Sequence, residues 1–222
     1  MRNGLAIFCG AFLVLALSWA GVLLTAHRQL TGLAQYKDPA EDTLFPEPLN
    51  GLADQGRAVY QDLGCASCHT QQVRREGLGG DIARKWGDRQ SVARDYIREK
   101  TVLIGTTRFG PDLRNVGKRI PEADYFYKLL CAPEATVGGV ALAHGMPSFR
   151  FLFDLHPAIA GQPSVDAVKL PGASAVPAGY ELVPTLRAKA LVAYLMDLKD
   201  TYEYPEAHPF SESAKGEGEH AK

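Results

Sequence analysis

Residues 52–69 read LADQGRAVYQDLGCASCH. Leu52–Leu63 reads as a helix, and it runs straight into Cys65-Ala66-Ser67-Cys68-His69. Cys-x-x-Cys-His is the attachment signal for haem c. Two thiols one helical step apart reach one porphyrin edge, and the adjacent imidazole is placed to ligate iron. Cys65 and Cys68 are therefore the expected covalent anchors of one haem c, with His69 as proximal ligand. Two other chemistries use this spacing. A thioredoxin-like redox pair needs a βαβ setting, which the flanks lack. Structural zinc needs two further ligands, yet Cys9 and Cys131 are isolated.

Composition agrees with a folded chain and excludes several classes. Of 222 residues, 46% are hydrophobic and 22% charged, so wholesale disorder is excluded. Four cysteines are too few for a disulfide scaffold. A net charge of -1 excludes a generally basic nucleic-acid binder. The charge is nonetheless uneven, because residues 70–119 carry twelve Lys/Arg against six acids. Such a run either forms a solvated face, offsets buried anions or steers a partner.

Upstream, Leu5–Leu24 (LAIFCGAFLVLALSWAGVLL) holds twenty residues without a formal charge. As a helix it spans roughly 30 Å, the hydrocarbon thickness of a bilayer. A cleaved signal peptide is the competing reading, with Ser18-Trp19-Ala20 as the cleavage site. The apolar run is long for that role. Residues 1–28 are thus expected to hold a cytoplasmic N-terminus and a transmembrane anchor. Residues 29–50 form a Pro-containing linker, where Pro39, Pro46 and Pro48 disfavour helix and strand alike. Residues 51–204 form one haem domain without internal repeat, and 205–222 an acidic polar tail. The expected fold class is all-α: one transmembrane helix, then a class I-like cytochrome c domain with long loops. Thr185–Lys199 supplies its closing helix, packed against Gly56 and Tyr60.

A sixth ligand is sought downstream. Met146 lies in His144-Gly145-Met146-Pro147, where glycine frees the backbone and proline fixes it, so the thioether can be aimed inward. Met146 is the expected axial partner of His69, with His144 or an open position as alternatives. Met196 sits in the apolar stripe of the last helix and reads as core. A His/Met pair raises the reduction potential and leaves no site for substrate. The carbonyl of Pro111, in Arg108-Phe109-Gly110-Pro111-Asp112-Leu113, is the candidate acceptor that orients His69. Arg108 and Arg114 are candidates to neutralise haem propionates, and Trp86 to lie against the haem edge.

Together these residues resemble the mono-haem c subunit (subunit II) of the cbb(3)-type cytochrome c oxidases, the C-family haem–copper oxidases. The resemblance is carried by the N-terminal helix and by Gln55–Tyr60 leading into Gly64–Arg74. Trp86-Gly87, Arg108–Leu113 with Val116-Gly117, and Met146-Pro147 complete it. It covers roughly residues 50–150 plus the anchor. Residues 90–107 differ from the family's aromatic-rich approach, and the resemblance does not place the Pro/Gly/Ala-rich stretch 155–184.

The resemblance implies an electron-transfer subunit that is not catalytic alone. It would take electrons from a companion c-type cytochrome subunit or a soluble cytochrome c. It would pass them to a b-type haem in the large haem–copper subunit that reduces oxygen. A membrane-tethered shuttle and the small subunit of nitric oxide reductase share this layout and are the alternatives. The positive-inside count around Leu5–Leu24 is nearly balanced. Orientation therefore follows from the haem chemistry, which takes place on the outer face of the bacterial cytoplasmic membrane. The haem domain is expected in the periplasm, on a single-pass anchor, with no nucleic-acid partner.

Overall fold

The computed structural model describes residues 3–39, 42–136, 145–159, 162, 164–200 and 202–207. His144, the alternative distal ligand, and residues 208–222 of the tail lie outside them. The described chain forms two compact units, Met1–Pro46 with Val92–Glu99, and Glu47–Ser91 with Lys100–Lys222.

The first unit contains helix α1, Gly4–Thr31. Leu, Ala and Phe dominate it, no proline interrupts it, and none of its side chains is buried. Among the described residues it is the one helix long and apolar enough to cross a membrane, which fits a single-pass anchor. Arg28 stands in the last turn, where a cation complements the helix dipole. The linker then departs from the strand-free expectation. Tyr36–Lys37 (β1) and Leu44–Phe45 (β2) pair antiparallel, Tyr36 opposite Phe45 and Lys37 opposite Leu44. Pro39 and Pro46 fall just outside this two-residue ladder, so neither removes a ladder donor. Residues 92–99 belong to the same unit. Asp95 there accepts from the Val92 amide at 2.8 Å, and Arg94 donates to the Ala34 carbonyl.

The second unit is built on two helices far apart in sequence. Helix α2, Gly51–Asp62, opens on Asn50, whose side chain accepts from the Ala53 amide at 2.9 Å, an N-cap that satisfies one of the first-turn donors. Helix α6, Leu186–Asp197, opens the same way on Thr185. The two helices pack face to face. A Cβ on Gly56 would overlap the Ala190 carbonyl and stand 2.8 Å from Tyr194 Cβ. Only glycine permits that approach. Beside it the rings of Tyr60 and Tyr194 meet edge to face at 5.5 Å, a geometry that aromatic quadrupoles favour. Leu191, Val192 and Ala188 complete the buried face.

Three further helices frame the core: α3 (Val116–Arg119), α4 (Ala123–Cys131) and α5 (Pro133–Thr136). Helix α4 buries Phe126, Leu130 and Cys131. Burial holds the Cys131 thiol above its ordinary pKa, so it stays protonated and packs as a small hydrophobe.

The all-α expectation is corrected by the stretch from residue 153 onward. Phe153–Pro157 (β3) pairs antiparallel with Tyr180–Pro184 (β4), Leu155 lying opposite Leu182. Val168 donates to the Leu182 carbonyl at 2.8 Å, drawing the intervening loop onto the hairpin. Phe153, Val168, Leu170 and Leu182 join the same core as α2 and α6. Among the described residues the fold is thus mainly helical with two small sheets. The tail begins with order, since Pro205–Ala207 forms a single 3-10 turn with Ala207 buried.

Candidate functional site

Helix α2 ends at Asp62, and Gly64 turns the chain with φ 69°, a conformation suited to glycine. Cys65–Ser67 then form a 3-10 turn, closed by Cys68 N to Cys65 O at 3.2 Å and His69 N to Cys65 O at 3.0 Å. This turn puts both thiols and the imidazole on one short loop. Neither thiol is in a disulfide. Burial pushes the Cys65 thiol up to about 11, opposed by its own backbone and reinforced by Cys68.

A second segment, residues 104–113, runs alongside and is stitched to this loop by main-chain bonds. Gln71 N donates to Ile104 O at 3.0 Å, Thr106 N to Ala66 O at 3.0 Å, Gly110 N to Cys68 O at 3.0 Å and Leu113 N to Thr70 O at 2.8 Å. The stitching carries Pro111 to His69. Nδ1 of His69 lies 2.9 Å from the Pro111 carbonyl. A carbonyl can only accept, so Nδ1 carries the proton and Nε2 keeps its lone pair. Gly110 approaches the ring closely, and a Cβ there would sit 2.2 Å from Cε1 and 2.5 Å from Nδ1. Burial is the main cause that lowers the His69 pKa, partly offset by Pro111 and Asp112, with the Arg119 charge adding to it.

Asp112 locks this arrangement, although it is not among the site residues expected from the sequence. Its side chain is fully buried and accepts from Thr70 Oγ1 at 2.6 Å, Gln72 N at 2.8 Å and Arg114 N at 2.9 Å. An acid directly after Gly-Pro, between apolar neighbours, is the only signal that could have marked it. Gln71 is held from the far side, where Tyr194 donates to its Oε1 at 3.0 Å.

The two arginines offered to propionates each pair with a carboxylate of the chain. Arg108 Nη1 bonds Asp81 at 2.7 Å and Nη2 donates to the Gln72 carbonyl at 2.5 Å. Arg114 Nε bonds Asp200 at 2.9 Å, with both side chains nearly buried. Asp81 also accepts from the Arg74 amide at 2.8 Å and its guanidinium at 3.1 Å. Burial alone would raise the Asp81 pKa, but these hydrogen bonds outweigh it and hold the carboxyl below its usual value. Trp86 is half-buried. Arg84 and Arg108 lie over its ring, 5.0 Å and 5.8 Å from the centroid, each a cation–π contact. Trp86, Arg108 and Arg84 therefore belong to one polar cluster beside Asp81.

Met146 follows Gly145, whose φ is 130°, a backbone conformation open to glycine. Its half-buried thioether packs on the core cluster that also borders Cys65, Ala66 and Leu113. The loop is tied down just beyond it, by Ser148 Oγ to Cys131 O at 2.6 Å and Phe149 N to Leu130 O at 2.7 Å. Met196 lies within α6 against the same core. Among the described residues no group of three or more His, Cys, Asp or Glu is placed to hold a metal ion.

The family described as Cytochrome C oxidase, mono-heme subunit/FixO matches residues 10–173. The chain belongs to this family. The FixO match bears out the resemblance to the mono-haem oxidase subunit and extends it through the linker and on to residue 173. It takes in α1 from Gly10, the Cys65–His69 loop, the Pro111 segment, Met146 and strand β3. It ends before β4 and α6, which the fold nonetheless needs to complete the core. No curated protein matches the chain.

Proposed function

We propose that this FixO chain is a membrane-anchored one-electron relay carrying a single covalent haem c. The observation that carries the reading is the His69 geometry. Its Nδ1 proton is held by the Pro111 carbonyl and its Nε2 lone pair is left for iron, on the same loop as two free thiols. The residues present fit a c-type haem. Cys65 and Cys68 would hold it by thioethers, His69 and Met146 would be its axial ligands, and the chain's core would line it. When bound, that group supplies reversible one-electron chemistry at the iron. The chain's residues do the rest. Pro111 and Gly110 fix the imidazole plane, Asp112 fixes Pro111, and the buried face of α2 and α6 excludes water. A low-dielectric, fully ligated site limits reorganisation when charge arrives and leaves.

Family membership implies a complex with the catalytic oxidase subunit. On this reading the chain receives an electron from a c-type donor and delivers it to the b-haem of that subunit. The haem domain faces the periplasm, with α1 crossing the cytoplasmic membrane once. Purification from native membranes tests the whole proposal. The expected result is a covalent haem that survives acid–acetone extraction of the denatured chain, and co-purification with an oxygen-reducing haem–copper subunit. A chain that loses all haem on extraction refutes the cofactor. A complex that reduces nitric oxide and not oxygen refutes the partner. Protease added to spheroplasts should degrade the haem domain, and protection until lysis refutes the orientation.

A further inference from the structure

Eight residues within the stretch expected to be the haem domain pack elsewhere. Val92–Glu99 join the anchor and linker in one compact unit, while Ser91 and Lys100 on either side belong to the other. Ala93–Tyr96 form a 3-10 turn that Asp95 closes on the Val92 amide. Arg94 reaches out of this turn and donates to the Ala34 carbonyl. Ala34 follows the end of α1 by only three residues, so it stands at most about 11 Å from that end. The turn is thereby held where α1 leaves its apolar run.

The charges of this unit are unevenly paired. Lys37 and Asp42 pair with each other at 2.5 Å, Asp95 is turned onto its own loop, and Asp38 and Glu99 are engaged within the chain. Arg28 and Arg98 are exposed, and their side chains have no hydrogen bond or ion pair among the described residues. What the described unit leaves uncompensated is therefore cationic. Arg28 lies four residues beyond Leu24, about 6 Å along the helix axis. A headgroup layer is about 5–8 Å deep, so this guanidinium falls within it. Tyr36 and Tyr96, both half-buried, are rings of the kind that favours a membrane–water interface.

We propose that Ala93–Arg98 form a second membrane contact of this chain, seated on the headgroup layer with Arg98, beside Arg28 of α1, on phospholipid phosphates. The proposal rests on the reading of α1 as the membrane anchor. A guanidinium fork donates two parallel hydrogen bonds to a phosphate. Each arginine near an anionic bilayer is worth about fivefold in association, and salt weakens the attraction. Because the chain runs on into the other unit at both Ser91 and Lys100, the contact ties the haem domain to the bilayer by two connections besides the linker.

The test uses the full chain with its haem, purified free of other subunits, in phosphatidylglycerol nanodiscs, phosphatidylcholine nanodiscs and neutral detergent. Amide hydrogen exchange of peptides covering residues 92–99 is followed by mass spectrometry. Exchange there should be slowest in phosphatidylglycerol, faster in phosphatidylcholine and fastest in detergent, and added salt should narrow the gap. Arg98→Glu should lose about fivefold or more of the protection in phosphatidylglycerol, with α2 peptides unchanged. Equal exchange of residues 92–99 in all three settings overturns the proposal. Full protection in detergent on adding inorganic phosphate also overturns it, since the arginines then take free anions. Protection that appears only with the large oxidase subunit present overturns it in favour of a protein partner. Where Arg98→Glu fails to accumulate, the wild-type comparison of the three settings decides alone. Free exchange along α1 in nanodiscs would overturn the anchor reading itself, which is a separate result.

Discussion

Gly56→Ala isolates the contact on which the haem domain closes. In a free helix the change would help, because alanine is favoured over glycine by about 0.8–1.0 kcal/mol. Here the new methyl would overlap the Ala190 carbonyl oxygen, with Ala190 C at 2.5 Å and Tyr194 Cβ at 2.8 Å. Carbon atoms rest at about 3.5–4.0 Å, so α2 and α6 must separate by roughly 1 Å. The obstacle is main chain and cannot rotate aside. Overpacking of this kind costs about 1–3 kcal/mol, and here it falls toward the upper end. Loosening the Tyr60–Tyr194 contact removes up to about 0.5–1.5 kcal/mol more. Set against the propensity gain, the net loss is about 3 kcal/mol. For a chain of this size that is about 6–12 °C in Tm. Circular dichroism of the detergent-solubilised protein measures it, with Gly10→Ala in α1 as control. Nothing lies within 4 Å of a Cβ at Gly10, so the control should show no fall in Tm. A Gly56→Ala protein as stable as the wild type would refute the close packing of the two helices.

Met146→Ala should abolish the sulfur–iron absorption in the red region and lower the midpoint potential, whereas Met196→Ala should leave the spectrum unchanged; visible spectroscopy decides between them. Gly110→Ala should tilt the His69 ring off the Pro111 carbonyl, seen as altered proximal-ligand signals in electron paramagnetic resonance while the covalent haem is retained. Asp81→Asn should cost about 2–3 kcal/mol, below the range for a wholly buried pair, because Arg74 and Arg108 keep some water contact. The Asp81 carboxyl is held below its unfolded pKa, so its contribution is complete above about pH 4. That contribution is lost as pH falls further. Acid unfolding should therefore lose part of its pH dependence in Asp81→Asn.

Local pattern made the essentials legible. The CxxCH loop is contiguous, and the α2 and α6 stripes are each read within a dozen residues. The anchor declares itself by length and apolarity. What the sequence concealed is non-local. Strands β3 and β4 are five residues each and separated by more than twenty, so neither shows its partner. Arg114 and Asp200 lie 86 positions apart, and Arg108 and Asp81 lie 27 apart. No spacing rule joins them. Arginines near a haem motif suggest propionates by chemistry alone, and only the folded geometry tells which of them already has a carboxylate.

The bond between Tyr194 and Gln71 links positions 123 residues apart, just beyond the CxxCH loop. On the proposed orientation, a chain translocated in order of synthesis behind α1 delivers Cys65 and Cys68 long before Tyr194 exists on that side. The contact that buries Gln71 cannot form until α6 follows, so both thiols stay reachable through most of translocation. If haem attaches to these thiols as proposed, the interval for thioether formation is set by the length of chain still to arrive, and not by any opening of the finished domain. Truncation before Thr185 would hold that interval open indefinitely, leaving a protein that can be loaded but never sealed.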